Sequence, residues 1–155
     1  MSNGLVWIDV FISHITTIDP GDHIGIITHD TVHDVIHGQT IEGVDRLIQL
    51  WKYLEEVKPV HIVFERFALR AKSAQKLVGN TFITCEVIGV IKLYCQLNNI
   101  KYTELLPSSK EFCGFSSSPK DPRYLDIKMD NNQKISEHVR DAYRLYNYYK
   151  LFGDS

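Results

Sequence analysis

Apolar and polar positions change period several times along the chain, and each change marks an element. Residues 14–19 (HITTID) are β-branched and stop at Pro20-Gly21, a turn dipeptide; residues 23–28 (HIGIIT) resume the pattern, so 14–28 predict a β-hairpin. Residues 30–37 (DTVHDVIH) predict a third strand. Over residues 41–57, Ile41, Val44, Leu47, Ile48, Trp51 and Leu54 recur at a spacing of three to four, the mark of an amphipathic helix, and Pro59 closes it. Residues 60–65 (VHIVFE) are a short, nearly continuous apolar run, as in a strand buried on both faces. Residues 73–98 predict a long helix, 100–106 a strand closed by Pro107, and 108–113 a short helix. Two prolines, three serines and several charges make 114–131 a loop, and 132–151 predict a last helix with Ile135, Val139, Ala142, Leu145 and Tyr146 on one face. The order βββαβαβα predicts an α/β fold: a mixed sheet of antiparallel hairpin and parallel strands, flanked by helices.

The 155 residues, 44% hydrophobic and 23% charged, suffice for one domain with a core, and 1–13 read as an N-terminal extension of it. No stretch approaches the roughly 20 apolar residues of a membrane span, so no membrane partner is expected. No basic residue precedes the first apolar run, which Asp9 interrupts, so a secretory signal is not expected either. Cys85, Cys95 and Cys113 form no CxxC and cannot all pair, which predicts a reducing, cytoplasmic setting. The net charge of −2 hides an asymmetry. Residues 1–65 hold three Lys/Arg against ten acids, a balance of −7, and residues 66–155 hold fourteen against nine, a balance of +5. That excludes a uniformly basic coating protein and suits an acidic site beside a basic surface.

Three acids stand out by position. Asp19 ends the first strand before Pro-Gly, Glu65 ends the buried strand before a basic segment, and Asp141 sits on the edge of the last helix's apolar face. Carboxylates at neighbouring strand ends converge, and three together can hold one or two hard cations such as Mg²⁺ for phosphodiester cleavage. Singly, each has a plainer reading: a turn residue for Asp19, an ion pair with Arg66 or Arg70 for Glu65, a solvated helix position beside Arg140 or Arg144 for Asp141. Residues 66–85 carry Arg66, Arg70, Lys72 and Lys76 and no acid, so they could clamp DNA phosphates beside the acids or simply be solvated. His29, His33 and His37 are four apart, as zinc ligands on a helix can be, but on a strand they would stand roughly 13 Å from one another.

Together these pieces carry a resemblance. IDPG at 18–21 with Gly25 following, PVHIVFERF at 59–67, SAQKLVGNTF at 73–82, IGVI at 88–91, LLPSSKEFCG at 105–114 and HVRDA at 138–142 occur in one order over most of the chain. In this the sequence resembles the RuvC-type Holliday junction resolvases of the ribonuclease H-like superfamily, and looks most like their small phage-borne members. The resemblance implies a crossover junction endonuclease, dependent on Mg²⁺ or Mn²⁺, that binds branched DNA as a homodimer and serves recombination, repair or phage DNA processing. It implies Asp19, Glu65 and Asp141 as metal ligands and His138, one helical turn before Asp141, as a further ligand or proton-transfer group. It also implies Lys110 of the P-x-x-K turn as a phosphate or water contact and Phe67 as an aromatic at the DNA. The long helix, with Val87, Ile88, Ile91, Leu93, Tyr94 and Leu97, is the expected dimer seam.

The sequence also departs from that pattern. Asp9 in VWIDVF is a rival first acid, the aromatic arrives one place early at Phe67, and the segment after Gly114 is short and less basic. Two further readings therefore stand beside junction resolution: a fork- or flap-directed nuclease, and a nucleic-acid-binding protein without activity. A sugar-kinase-like phosphotransferase would need a second domain of similar size.

Overall fold

The computed structural model describes residues 14–67 and 78–153. The elements are β1 (His14–Asp19), β2 (Ile24–Asp30), β3 (Val35–Ile41), α1 (Arg46–Val57), β4 (His61–Glu65), α2 (Val78–Asn98), β5 (Lys101–Leu105), β6 (Ile127–Met129) and α3 (Glu137–Phe152). Short 3-10 turns cover Pro107–Phe112, Pro122–Asp126 and Asp130–Asn132. One sheet of order β5-β4-β1-β2-β3-β6 holds all the strands. β1, β2 and β3 pair antiparallel, β4 runs parallel to β1, β5 parallel to β4, and β6 parallel to β3. The two parallel steps β1–β4 and β4–β5 need crossovers, which α1 and α2 occupy.

Strand alternation divides the side chains between the two faces. Ile18, Ile24, Ile26, Ile41, Ile62 and Phe64 point to α1 and α2, where Leu50, Leu54, Val87 and Ile91 are fully buried. The other face carries Ile27 and Ile127 against Val139, Ala142, Tyr143 and Tyr146 of α3, with Val63 and Leu105 against Leu145. Asp19 and Glu65 share the parity of Val63 and so face α3.

Element starts differ from the sequence expectation, each for a local reason. The third strand begins at Val35 rather than at residue 30 because Asp30 closes β2: its carboxylate accepts from Val32 N (3.0 Å) and His33 N (3.1 Å), and Asp34 turns the chain at φ 52°. Ile41, expected to open α1, ends β3 opposite Ile24, and the helix starts only at Arg46, after Gly43 at φ 102°. Its end is as expected: Lys58, left-handed at φ 52°, donates to Leu54 O before Pro59. α3 starts at Glu137 rather than 132, since Asn131 and Asn132 are left-handed and the Ser136 hydroxyl caps the helix by accepting from Val139 N (3.2 Å). The expected 114–131 loop contains β6, three residues that pair with β3 where Gly38 leaves room; a Cβ there would meet Met129 Sδ at 2.7 Å.

The expected dimer seam divides. Val87, Ile91 and Tyr94 pack on the sheet, while Leu93 (50% exposed), Leu97 (67%) and Phe82 (64%) face outward. The three histidines do not converge: His29 meets Tyr146 and Asp34, His33 meets Asp30, and His37 lies 3.7 Å from Asp130. Residues 1–13 with Asp9, and Arg70, Lys72, Lys76 and the 73–77 start of the long helix, lie outside the described residues. Among those described, no helix is long and apolar enough to cross a membrane.

Candidate active site

Asp19 and Glu65 are the last residues of adjacent parallel strands, in register through Ile18 and Phe64, so their carboxylates emerge side by side. α3 brings Asp141 and, one turn earlier, His138 over that edge. Three features fix the crossing. β2 has glycine at position 25, where a Cβ would stand 2.7 Å from Val139 N. Ser136 Oγ meets Thr40 Oγ1 at 3.0 Å, and the Gln133 amide closes on Thr40, accepting from its N–H (3.0 Å) and donating to its carbonyl (3.2 Å). The 3-10 turn after β5 supplies Lys110 from the far side.

The five expected site residues meet. His138 Nδ1 lies 3.3 Å from Asp19 Oδ2, and Lys110 Nζ lies 3.3 Å from Glu65 Oε2 and 3.5 Å from Asp141 Oδ2. Burial, followed by the neighbouring charge of Asp19, pushes the Glu65 carboxyl up to about 7. Burial also raises Asp141, against the pull of Lys110. The hydrogen bond to Asp19 raises His138. Burial works against the Lys110 ammonium, but the surrounding carboxylates outweigh it and raise the group.

Among the described residues, no group of three or more His, Cys, Asp or Glu side chains is arranged as it stands to hold a metal ion. The Lys110 ammonium stands near both Glu65 and Asp141, at 3.3 and 3.5 Å. The donor set nevertheless fits a hard divalent cation: carboxylate oxygens from three acids with an imidazole at hand, and a Glu65 carboxyl whose ionised form burial and the charge of Asp19 disfavour. A cavity of about 670 Å³ lined by Thr28, His37, Tyr53 and Lys52 lies on the α1 side of the sheet and is no part of this cluster.

The basic candidates fall less neatly. Arg66 is exposed and Phe67 half-buried in the chain leaving β4, with Arg66 N bonded to Leu105 O. Two site neighbours are not marked as such in the sequence pattern. His23, in the β1–β2 turn, stacks on His138 with ring centres 5.4 Å apart and planes 6° from parallel, and its Nε2 lies 3.0 Å from Glu42. Arg144 lies 3.6 Å from Asp141, a pairing that the i,i+3 spacing offers only as an ordinary helix ion pair.

No protein-family model matches the sequence, and a search of curated proteins finds no relative. Solved structures do match. RuvC of T. thermophilus in complex with Holliday junction substrate superposes with a TM-score of 0.66 at 13% identity, over 92% of this chain and 97% of that one. The chain has the RuvC-type resolvase fold. The yeast mitochondrial Holliday junction resolvase (TM-score 0.56, 14% identity, 99% of this chain and 89% of that one) shares it. So does the fowlpox virus resolvase in complex with its junction DNA (TM-score 0.52, 14% identity, 84% and 94%). At such identities the likeness is one of fold, and the expected ribonuclease H-like mixed sheet is what the RuvC-type fold contains.

Proposed function

We propose that this chain is a divalent-metal-dependent endonuclease of branched DNA, acting as a single-domain subunit that nicks four-way junctions symmetrically. The observation that carries the reading is the meeting of Asp19, Glu65 and Asp141, with His138 and Lys110, at one edge of a RuvC-type sheet. Asp19, Glu65, Asp141 and His138 would hold Mg²⁺ or Mn²⁺, which when bound makes water a nucleophile at neutral pH and offsets charge on the leaving oxygen. The chain's own residues do the rest. Lys110, already among the carboxylates, places an ammonium where a phosphate oxygen can be held. His138 either completes that ligand set as a neutral imidazole or, left outside it, has the bond to Asp19 favouring the protonated form that can deliver a proton to the departing oxygen. Arg66, with Arg70, Lys72 and Lys76, supplies phosphate contacts that set affinity without reading sequence, and Phe67 an aromatic surface beside them.

Two nicks related by symmetry call for two sites related by symmetry, so the working form is a homodimer joined through the outward face of α2. We read it as a cytoplasmic protein of recombination, repair or phage DNA processing, its cysteines unpaired as in a reducing compartment. The shortness of the segment after Gly114 favours, as a second reading, a fork- or flap-directed nuclease. Incubation with Mg²⁺ and a synthetic four-way junction, a fork, a flap and a linear duplex of one sequence tests both. Paired nicks across the junction support resolution, a preference for fork or flap supports the second reading, and binding without nicks under Mg²⁺ or Mn²⁺ leaves only a DNA-binding protein.

A further inference from the structure

We propose that Arg144 is a positioning residue of this site, locking the third carboxylate and the lysine-bearing turn into one unit. The proposal rests on the nuclease reading and deepens it by adding a residue to the machinery. Arg144 lies one helical turn beyond Asp141 on α3. Its Nη1 stands 3.6 Å from Asp141 Oδ1, and its Nη2 donates to the carbonyl oxygen of Lys110 at 3.0 Å. The Lys110 ammonium in turn reaches Asp141 Oδ2 at 3.5 Å. The contacts close a ring: both oxygens of Asp141 are engaged, and Lys110 is tied to α3 at its backbone and at its tip.

The ring sits where a charge is costly. The Arg144 side chain is only 12% exposed, and its buried Nε has no hydrogen-bond partner among the described residues. A guanidinium so enclosed is weak support for stability, since a well-packed apolar side chain does as well or better at such a place. Leu145, the next residue, fills its place on the sheet in that way and is fully buried. What the arginine adds is geometry. Its planar fork holds two nitrogens at fixed separation, one ion-paired with a carboxylate and one donating to a carbonyl, whereas a lysine offers a single point charge. Because Arg144 uses only Oδ1, Asp141 Oδ2 can change partners without the turn leaving α3, and the Lys110 ammonium stays beside the site when it does. The 3-10 turn needs such a tie, as its own hydrogen bonds are few and poorly aligned. Asn147, bonding the carbonyl of Cys113, holds only its far end.

The test compares wild type, Arg144→Lys and Arg144→Met in three measurements: nicking of a four-way junction across a Mg²⁺ titration, junction binding in chelator, and the Mg²⁺-dependent rise in melting temperature. Expected are wild-type junction binding in both variants, nicking about ten- to a hundredfold slower at saturating Mg²⁺, and a several-fold higher Mg²⁺ midpoint for the thermal shift. The lysine variant is not rescued, although it keeps the charge. Arg144→Lys with wild-type nicking and midpoint overturns the proposal, leaving an ordinary ion pair. Parallel loss of melting temperature, junction binding and nicking in both variants also overturns it, in favour of a structural role. Should wild type itself fail to nick, the nuclease reading falls, and the thermal-shift midpoints decide Arg144 alone: equal midpoints in wild type and Arg144→Lys reject it, and a raised one upholds it.

Discussion

Gly25 of β2 and His138 of α3 touch backbone to backbone. A Cβ on Gly25 would collide with the carbonyl group of His138 and stand 2.7 Å from Val139 N. Gly25 is also the residue paired with Asp19 across the hairpin, so the same contact sets the height at which α3 passes the first acid. The glycine is required here for close approach rather than for an unusual φ.

Gly25→Ala therefore obliges α3 to retreat from the sheet. Overpacking of this kind costs about 1–3 kcal/mol, and the retreat also opens the 3.3 Å contact between His138 and Asp19. The expected variant folds, melts several degrees lower, and loses nicking out of proportion to its stability. Thermal melts beside junction cleavage, at a temperature where both proteins are folded, decide it. Equal activity at equal folded fraction means that the contact supports the fold alone.

The three acids make a second prediction. Asp19→Asn, Glu65→Gln and Asp141→Asn each keep the shape of the side chain and remove the charge that a cation needs. Nicking should fall by about a thousandfold or more in each, an amount typical of a lost metal or its activated water, while gel-shift affinity for the junction in chelator stays within a few-fold. A variant that still cleaves at near the wild-type rate removes its residue from the ligand set, and Asp9→Asn is then the next to examine.

How much of this is legible in the sequence depends on where the deciding interactions lie. Asp19 and Glu65 are readable because Pro-Gly and an apolar run locate strand ends, and strand ends are where such residues meet. Helical period places Asp141 only on the edge of the apolar face; its role, like those of His138 and Lys110, is expected from the resemblance. β6 is not readable, since three residues carry no period and its pairing rests on the absent side chain of Gly38. Nor are the starts of β3 and α3, which side-chain bonds from Asp30 and Ser136 and left-handed asparagines determine. His23 and Arg144 belong to a third kind. His23 stacks on His138 and Arg144 bonds the Lys110 carbonyl across long stretches of sequence, which no spacing rule reports; only the i,i+3 pair of Arg144 with Asp141 is visible in the sequence, and there as an ordinary ion pair.

The outward face of α2 makes a third prediction. Leu93 and Leu97, a helical turn apart, are 50% and 67% exposed, whereas Val87 and Ile91 are at 0%. Leu93→Glu with Leu97→Glu alters only the exposed side, so the double variant should keep its melting temperature and sediment as a monomer, where the wild type is expected to sediment as the proposed dimer. Paired nicking of one junction by one complex should then become two unlinked nicks. Val87→Glu, by contrast, places a charge in the core and should unfold the chain. Sedimentation as a dimer by the double variant would move the interface elsewhere.

The pH dependence of stability follows from the same carboxylates. Burial and the charge of Asp19 lift the Glu65 carboxyl from an ordinary 4.5 to about 7, so between those values the folded chain holds a proton that the unfolded chain has released. The folded state binds more protons in that window, and stability must fall as pH rises through it. Every tenfold gain in proton affinity on folding is worth about 1.4 kcal/mol, which bounds the loss at roughly 3 kcal/mol before relaxation. Asp141, raised chiefly by burial, and His138, raised chiefly by its bond to Asp19, act with the same sign: the stabilisation of the protonated form is lost as pH climbs. Asp30 works in the opposite sense, its carboxyl held down at about 2 by hydrogen bonds from His33, but that contribution disappears only below about pH 4, outside the window. In chelator the melting temperature should therefore decline from about pH 5 to pH 8, and Glu65→Gln should flatten the decline. Millimolar Mg²⁺ should restore most of the loss at the alkaline end, because the cation binds the gathered acids of the folded chain and not the dispersed ones of the unfolded chain. Calorimetric scans at intervals of half a pH unit, with and without Mg²⁺, separate the cases. A wild-type profile that is level or rising in chelator, or an undiminished slope in Glu65→Gln, would show that the carboxylates are not crowded into one poorly hydrated site.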